Sequence, residues 1–327
     1  MEILCPICNN LINKELTATI PICNSQKSLH SNNYNIIECT KCGLLRLNPL
    51  PTKEDISKLY SKDYYYGNEK NRRFQEIIEF FIYLTHLRLS KEISGLRKNK
   101  GKVLDVGCGK GWFLAGCRAL DWETYGTEIT SSTSDFATKE LHLDVLSKDI
   151  SECNFPDSYF DIITCLHSFE HLSQPVETLK EIRRVLKKDG LLLLTLPNID
   201  SFQFKISKYR WFHLGIPYHY YNYSTKNIST LLKKAGFIPY RISHFSLGYN
   251  AFGFLQSLFN LLINEPNFLY YLFKGNYKME KLTIEYLYSF VLTFLYFPLF
   301  TVISLIGSFL ESAGHHGGTI KIITIKS

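Results

Sequence analysis

Four cysteines near the N-terminus form two CxxC pairs. Cys5 and Cys8 make the first pair, Cys39 and Cys42 make the second, and thirty residues separate the pairs. Two such pairs can place four thiolates tetrahedrally around Zn²⁺ in a closed, structural site. The alternative is four free thiols. We predict a structural zinc site, because nine cysteines in a chain that opens without an apolar leader favour metal or free thiols over disulfides.

A second set of residues forms a glycine-rich turn. Asp105, Gly107, Gly109 and Gly111 lie between an apolar strand-like run and a helical segment, in the spacing GxGxG rather than the dinucleotide spacing GxGxxG. Glycines allow a tight turn and let a ligand lie against the main chain. Glu128 ends the next predicted strand, 21 residues after Gly107. A carboxylate at that place can accept both ribose hydroxyls of an adenosyl group, so the turn predicts a nucleoside-type cofactor.

Histidines and a glutamate follow a later predicted strand. His167, Glu170 and His171 cluster there, and a histidine is the natural base near neutral pH. A helical turn would place His167 and His171 on one face. His219, in the segment IPYHYYNYS, is a further candidate. Two alternatives stay open, a buried and structurally hydrogen-bonded His171, and an aromatic loop around His219 that packs over the sheet edge.

Short apolar runs alternate with amphipathic segments in the part of the chain that carries these residues. This alternation predicts an α/β, doubly wound sheet with ligands at the carboxyl ends of its strands. We expect the helix over 176–188 to end at Asp189-Gly190. The predicted strands are 102–106, 124–127, 160–166, 191–196, 237–245 and 319–325, and the predicted helices are 72–97, 111–120 and 176–188.

Four segments together resemble the class I S-adenosylmethionine-dependent methyltransferases, in particular the small-molecule group that includes the ubiquinone-type O-methyltransferases. They are LDVGCGKG (104–111), YGTEI (125–129), KDISECNFPDSYFDIITCLHSFEHL (148–172) and LKKDGLLLLTLPN (186–198), in the family's order. The resemblance implies a Rossmann-like, doubly wound, seven-stranded sheet, methyltransferase activity and S-adenosylmethionine as cofactor.

The resemblance also implies roles for individual residues. The turn from Gly107 to Gly111, with Asp105 at its start, would hold the methionine part of the cofactor. Glu128 would bind the ribose, Asp149 would contact the adenine amino group, and Leu166 would line the pocket with His167. The family commonly has Glu-His where Glu170 and His171 stand. In the ubiquinone-type enzymes a further glutamate helps these two to hold a divalent metal, and here His167 takes its place.

The N-terminal cysteines and the following NPLPTKEDISKLYSKDYYYG resemble a module of bacterial methyltransferases from sugar and surface-polysaccharide clusters. We therefore expect a small or lipid-linked acceptor, such as a cell-surface glycan intermediate. One alternative is an RNA methyltransferase that grips nucleic acid with its zinc ribbon. It is disfavoured, because no Asn/Asp-Pro-Pro-Tyr follows the fourth strand and because the chain carries an apolar insert near its C-terminus. Another is a non-catalytic protein that kept the cofactor pocket.

The last third of the chain is strongly apolar. Residues 286–310 contain no charge over 25 positions, long enough for a membrane span. The two flanking strands must pair in one sheet, so a single crossing is disfavoured, and Pro298 and Asn264-Glu265-Pro266 are expected breaks. We predict an interfacial hairpin over 251–310 whose lysines, Lys274, Lys278 and Lys281, meet anionic headgroups. A homodimer surface and a re-entrant or paired span are the alternatives.

These features give an expected organisation and location. We predict a zinc ribbon over 1–48, a helical linker over 49–100 and a methyltransferase domain over 101–327 with an apolar helical insert at 249–313. No basic segment followed by an apolar run opens the chain, so the expected location is the cytoplasm, peripheral at the inner face of the cell membrane.

Overall fold

The computed structural model describes residues 4–11, 14–16, 34–52, 54–55, 72–274 and 283–327. These fall into two compact units that interleave along the chain. The first lies within 1–75, 197–227 and 243–320, and the second within 76–196, 228–242 and 321–327. The predicted boundaries after residues 48 and 100 divide the chain consecutively instead, and they stay a prediction.

Eleven strands and nine helices are named here in chain order, from the described residues. The strands are β1 Lys14–Leu16, β2 Asn35–Glu38, β3 Leu45–Asn48, β4 Lys102–Val106, β5 Glu123–Thr127, β6 Asp144–Leu146, β7 Phe160–Leu166, β8 Leu186–Pro197, β9 Tyr221–Asn222, β10 Phe237–Ser243 and β11 Thr319–Lys326. The helices are α1 Arg72–Ser94, α2 Trp112–Arg118, α3 Ser131–Lys139, α4 Pro175–Val185, α5 Phe202–Ser207, α6 Thr225–Lys234, α7 Leu247–Leu262, α8 Phe268–Lys274 and α9 Ile284–Ala313.

The larger sheet has seven strands in the order β10-β11-β8-β7-β4-β5-β6. The pairs β4–β5, β4–β7, β5–β6 and β7–β8 are parallel, so their carboxyl ends meet at one edge. The strand that closes the chain lies between β8 and β10, which confirms the predicted pairing of the last two strands. This arrangement is the Rossmann-like, doubly wound sheet that the resemblance implied, and its carboxyl edge is where ligands bind in such folds.

The predicted boundary between α4 and β8 was wrong, and other elements end earlier than predicted, among them α1 at Ser94 rather than residue 97 and β10 at Ser243 rather than residue 245. Helix α4 ends at Val185 rather than at residue 188, and β8 begins at Leu186, five residues earlier than predicted. Phe160 pairs with Leu186 and Ile162 with Leu191, so the intervening residues of β8 form a bulge that contains Asp189-Gly190. Leu186 is fully buried. Pairing with β7 and burial of this side chain outweigh the helical periodicity that suggested a longer α4.

Helix α1 packs on the second unit, although the sequence predicted that it belongs to a linker. Ile93 joins the core beneath the sheet, and the indole Nε1 of Trp122 donates to the Ser94 hydroxyl at 3.1 Å. A Cβ at Gly116 would lie 2.5 Å from the Ser90 hydroxyl, so α1 and α2 approach more closely than a larger residue allows. From residue 76 onward, α1 is therefore part of the unit that holds the glycine-rich turn.

The first unit contains an antiparallel four-stranded sheet in the order β1-β2-β3-β9. Strand β9 pairs with β3 through Leu45 and Arg46, which sequence patterning did not predict because β9 has only two residues. Ile36, Leu45, Trp211 and Leu214 form a buried core here. The predicted ribbon segment is thus completed by a strand from the distant segment after β8.

The predicted apolar insert is helical, as expected, but it contains three described helices instead of a hairpin. The chain breaks between α7 and α8 at residues 263–267, where Asn264-Glu265-Pro266 predicted a break. Helix α9 continues through Pro298 without interruption, so that predicted break was wrong. Leu255 and Phe259 of α7 pack against Leu292 and Phe300 of α9. Residues 275–282, including Lys278 and Lys281, lie outside the described residues.

Candidate functional site

The glycine-rich turn follows β4 at the carboxyl edge of the larger sheet. Gly107, Gly109 and Gly111 have φ angles of 74°, 55° and 82°, a region that side chains with a Cβ rarely adopt. A Cβ at Gly107 would lie 2.6 Å from the Ser168 Cβ, whereas nothing lies within 4 Å of a Cβ at Gly109. The backbone therefore turns tightly on one side and leaves open space on the other, where a ligand can lie against it.

Glu128, directly after β5, holds this turn in place. One carboxylate oxygen accepts from the backbone N–H of Gly109 at 2.9 Å, and the other accepts from the N–H of Thr130 at 2.8 Å. The side chain is 6% exposed. Burial raises the pKa of Glu128 above its usual range, and the two backbone donors partly oppose that effect. A buried acceptor thus lies beside the open space at Gly109, which fits a ribose with two hydroxyl donors.

Asp105 lies at the end of β4, beneath the turn. Its Oδ1 accepts from the Thr164 hydroxyl of β7 at 2.6 Å, and the residue is 2% exposed. Burial raises the pKa of Asp105 to about 7, and the negative charge of Glu128 adds to the increase. The carboxyl lies inside the sheet rather than in the open space beside the turn. It can therefore affect a cofactor only through its own charge and through the conformation of the turn.

Asp149 and Leu166 also lie at this edge of the sheet. The Asp149 carboxylate caps the short 3₁₀ turn Ile150–Glu152 by accepting from the Ser151 N–H at 3.0 Å and from its hydroxyl at 2.6 Å. Leu166 is the last residue of β7 and packs, partly buried, against the core. The cofactor roles predicted for both residues stay predictions.

His167 and Glu170 form a close pair after β7. The Nδ1 atom of His167 lies 3.6 Å from Glu170 Oε1, and Glu170 is 1% exposed. His167 has a φ of 54°, and its N–H donates to the Thr195 carbonyl at 2.9 Å. The following 3₁₀ turn spans only Phe169–His171. The predicted helical turn with His167 and His171 on one face is therefore wrong, because His167 lies before the turn in a left-handed conformation.

Helix α1 contributes residues to the same edge that sequence reasoning missed. Glu79 forms an ion pair with Lys110 of the glycine-rich turn, and the Tyr83 ring meets the Trp112 ring edge-on at 5.5 Å. Burial lowers the pKa of His86, whose ring Nδ1 contacts the Ile82 carbonyl, and His167 lowers it further. Glu79, Tyr83 and His86 share a helical face by their spacing. Nothing in the sequence indicated that this face meets the turn.

His219 belongs to the first unit. Its Nδ1 lies 2.9 Å from the His213 carbonyl oxygen, and its ring fills the space that a Cβ at Gly215 would need. The carbonyl of the adjacent Tyr220 accepts from the Leu47 N–H of β3 at 2.9 Å. These contacts favour the structural interpretation of this aromatic loop.

The four predicted zinc ligands come together in the first unit. The ligand atoms of Cys5, Cys8, Cys39 and Cys42 all lie within 4.8 Å of one another. The Sγ atoms of Cys5 and Cys42 are 3.5 Å apart, and those of Cys8 and Cys39 are 3.4 Å apart. A set of four converging thiols in this space fits Zn²⁺ and the tetrahedral coordination that it prefers.

Two matching turns carry these cysteines. The N–H of Asn9 donates to the Cys5 carbonyl at 2.9 Å, and the N–H of Gly43 donates to the Cys39 carbonyl at 2.8 Å. Asn9 and Gly43 have φ angles of 55° and 73°, so both turns close with a left-handed residue. Burial raises the pKa of Cys39, but the N–H groups of Cys42 and Lys41 stabilise its thiolate and the net change is a lowering.

Burial has the opposite net result at Cys5, where it raises the pKa to about 11. A cation bound by the four converging thiols would stabilise all of them as thiolates. The remaining described cysteines do not join this cluster. Three of them, Cys108, Cys117 and Cys165, are buried, and Cys153 is half-buried.

A model of the methyltransferase domain family matches residues 74–240, just over half of the chain. The chain belongs to this methyltransferase family. The match covers α1 from residue 74 onward, which was predicted to belong to a linker, together with the glycine-rich turn and β7. The class I S-adenosylmethionine-dependent methyltransferase family inferred from the four motifs is confirmed.

Relatives of this methyltransferase support the same family. It is 29% identical over 107 residues to a ubiquinone biosynthesis O-methyltransferase of Actinobacillus pleuropneumoniae, covering 30% of this chain and 46% of that protein. It is 31% identical over 143 residues to an uncharacterised protein of Methanocaldococcus jannaschii, covering 42% of this chain and 61% of that one. The methyltransferase thus spans about half the length of the curated relatives it matches.

Solved structures include a similar S-adenosylmethionine-dependent methyltransferase from Archaeoglobus fulgidus. It is 21% identical, with a TM-score of 0.48, and the alignment covers 74% of this chain and 93% of that one.

Replacing Asp105 with asparagine tests the buried carboxyl. Its unfolded pKa is near 3.8 and its folded pKa is about 7, so the folded state binds more protons between these values and the wild type loses stability as pH rises. The asparagine side chain keeps an acceptor for the Thr164 hydroxyl but carries no charge. Asp105→Asn should therefore leave the free energy of unfolding nearly unchanged at pH 4. At pH 8 it should raise the free energy of unfolding by a few kcal/mol, because each unit of difference between the two pKa values corresponds to about 1.4 kcal/mol.

Urea unfolding of both proteins between pH 4 and pH 8 measures this difference. A stabilisation that is the same at every pH would contradict the raised pKa.

Proposed function

We propose that this protein is an S-adenosylmethionine-dependent methyltransferase that acts on a small-molecule acceptor. The observation that carries the proposal is the Glu128 carboxylate, buried at the carboxyl end of β5 and bonded to the N–H groups of Gly109 and Thr130. The family match supports the activity, and the open space beside Gly109 supports a cofactor at this place.

Each residue of this edge has a proposed role in binding. When bound, S-adenosylmethionine would supply a methyl group on a sulfonium sulfur, and that sulfur would leave as a neutral thioether. The turn from Gly107 to Gly111 holds the methionine part, Glu128 accepts from the ribose hydroxyls, and Asp149 accepts from the adenine amino group. Asp105 places negative charge beneath the turn when it is ionised, above its pKa of about 7, and this charge favours a cationic ligand above it.

The residues after β7 are the proposed acceptor side. Methyl transfer is an in-line displacement, so the protein must chiefly align the acceptor, exclude water and, for a hydroxyl acceptor, remove a proton. Glu170 lies 3.6 Å from His167 Nδ1 and can orient this ring, so that the other ring nitrogen serves as the base. Leu166 lines the pocket. His171 and His219 stay candidates for contact with the acceptor.

The finer substrate proposal is a sugar or lipid-linked glycan intermediate of the cell surface. The apolar insert supports it, because an acceptor carried on a lipid is reached most readily by an enzyme held at the membrane. We propose attachment at the inner face of the cell membrane through the region 251–310. A homodimer that covers the apolar surface is the competing explanation. The alternative of an RNA methyltransferase has no specific observation in its favour.

We also propose that Cys5, Cys8, Cys39 and Cys42 hold one structural Zn²⁺. Four protein thiolates leave no open position, so the metal would stabilise the first unit and take no part in the reaction.

The variant Glu128→Ala tests the ribose assignment. It should weaken S-adenosylmethionine binding by roughly 1–3 kcal/mol, because two ribose donors lose their buried acceptor. Glu123→Ala is the matched control, since Glu123 is an exposed glutamate at the other end of β5 and should leave the affinity unchanged. Isothermal titration measures both, with circular dichroism to confirm folding. Equal affinity of wild type and Glu128→Ala would refute the assignment.

The variant Cys39→Ser tests the metal site. Purified protein should contain about one zinc per chain, and Cys39→Ser should lose it while still binding S-adenosylmethionine. Cys153→Ser, a cysteine outside the cluster, should keep the metal. Elemental analysis after gel filtration gives the stoichiometry. Undiminished zinc in Cys39→Ser would mean that the metal is bound elsewhere.

A further inference from the structure

Helix α9 has the reverse of the polarity expected for a helix on the surface of a water-soluble protein. A helix in water buries its apolar stripe and exposes its polar face. In α9 all five buried residues carry polar side chains, and they are Ser289, Thr293, Ser304, Ser308 and Glu311. Among the described residues, α9 is the one helix long and apolar enough to cross a membrane, and 11% of its most apolar stretch is buried.

The exposed surface of α9 is apolar over most of the helix circumference. Phe294 is 81% exposed, and the adjacent Leu295 is 64% exposed. Successive residues such as these point about 100° apart, so the apolar surface is much wider than one stripe. The large exposed side chains are Ile284, Leu287, Tyr288, Phe290, Val291, Phe294, Leu295, Phe297, Leu299, Val302, Ile303, Leu305, Ile306, Phe309 and Leu310.

The buried side of α9 packs tightly on α7 through small residues. A Cβ at Gly307 would lie 2.4 Å from the Phe254 ring, so only glycine allows this approach. Ser304 and Ser308 flank it, and the rings of Phe259 and Phe300 meet at 5.0 Å. Small and hydroxyl-bearing residues at a helix contact, with large apolar residues facing outward, are typical of helices that pack in lipid.

Five of the six serine and threonine hydroxyl groups of α9 donate within the helix, and the sixth, the buried Ser308 hydroxyl, has no hydrogen-bond partner among the described residues. Ser289 donates to the Glu285 carbonyl at 2.8 Å, and Thr293 donates to the Ser289 carbonyl at 2.8 Å. Thr301, Ser304 and Ser312 donate to helix carbonyls in the same way, at 2.6, 2.9 and 2.7 Å. These bonds need no water, which suits a helix in an environment that offers none.

Charges are confined to the two ends of α9. Glu285 is exposed in the first turn, and residues 286–310 contain no charge. At the other end, Glu311 is buried and accepts from Gln203 Nε2 at 2.6 Å and from the Gly318 N–H at 3.1 Å. The apolar length between these ends is therefore uninterrupted, and the polar contacts at the C-terminal end fix the helix to the protein.

We propose that the outward face of α9 lies in the hydrocarbon of one membrane leaflet, with the helix axis along the membrane plane and α7 on the protein side. The partner of this face is lipid acyl chains rather than a second copy of the chain. Fluid acyl chains can cover the whole curved apolar surface of α9, whereas a second copy would cover only one stripe of it. This deepens the membrane attachment proposed above and does not depend on the transferred methyl group.

The arrangement argues against the predicted hairpin and against a single crossing. Leu255, Phe259 and Gln256 of α7 are buried in protein, so the first arm of the hairpin does not face lipid. A crossing by α9 would need a return crossing, because β10 and β11 are neighbours in one sheet. Helix α7 has 16 residues, about 24 Å at 1.5 Å per residue, which is shorter than the ~30 Å hydrocarbon core.

The double variant Phe294→Asp/Leu295→Asp tests the lipid-facing surface. The full chain should float with vesicles of phosphatidylcholine and phosphatidylglycerol, and the variant should show at least about tenfold weaker partitioning, because it places two charges in hydrocarbon. Tyr240→Asp, at a 69% exposed residue of β10, is the matched control and should partition like the wild type. Unchanged flotation of the double variant would overturn the proposal.

Tryptophans at Ile284, Phe294 and Phe309, introduced one at a time, test the orientation. Lipids brominated near the middle of their acyl chains should quench the added emission of all three to a similar extent if α9 lies in the plane. Strong quenching at Phe294→Trp with little at the two ends would indicate a span and contradict the proposal. No quenching at any site, with sedimentation as a dimer, would mean that a second copy covers α9. Binding of S-adenosylmethionine to each variant keeps this outcome separate from failure of the methyltransferase proposal.

Discussion

The carboxylate of Glu128 is the interaction on which the cofactor edge depends. Its two oxygens connect the N–H of Gly109 in the glycine-rich turn to the N–H of Thr130 at the start of α3. The parallel pairing of β4 with β5 makes this possible, because it brings the turn and Glu128 to the same edge. The Thr127 carbonyl adds bonds from the N–H groups of Gly107 and Cys108. A buried negative charge therefore fixes a backbone that glycine alone would leave mobile.

A second constraint governs the apolar helices. Helix α9 exposes large apolar side chains and buries polar ones. In water this arrangement has a free-energy cost that grows with the exposed apolar area. On the side that faces α7, Gly307 allows close packing, so the cost lies mainly on the outer face. A lipid environment removes it. The methyltransferase fold itself tolerates such an insert, because the insert enters after β10 and returns at β11, two neighbouring strands of one sheet.

Much of this edge could be predicted from the sequence. The strand over 160–166 has the predicted limits, and the glycine-rich turn and Glu128 stand where the motifs indicated, because local patterning decides buried parallel strands. The paired CxxC motifs likewise predicted converging thiols. Long-range contacts could not be predicted. The addition of β9 to the β3 edge, the packing of Tyr83 on Trp112 and the bulge before Leu191 depend on tertiary packing, and no local periodicity encodes them. The orientation of α9 could not be predicted for the same reason, since the sequence shows an apolar run but not which side of the helix contacts protein.

The most direct test of the cofactor account is a crystal structure with S-adenosylhomocysteine. We expect both ribose hydroxyls to donate to the Glu128 carboxylate, with the amino-acid part along Gly107 to Gly111 and the adenine next to Asp149. A ligand bound with its ribose away from Glu128, or outside the carboxyl edge of β4 and β5, would contradict the account.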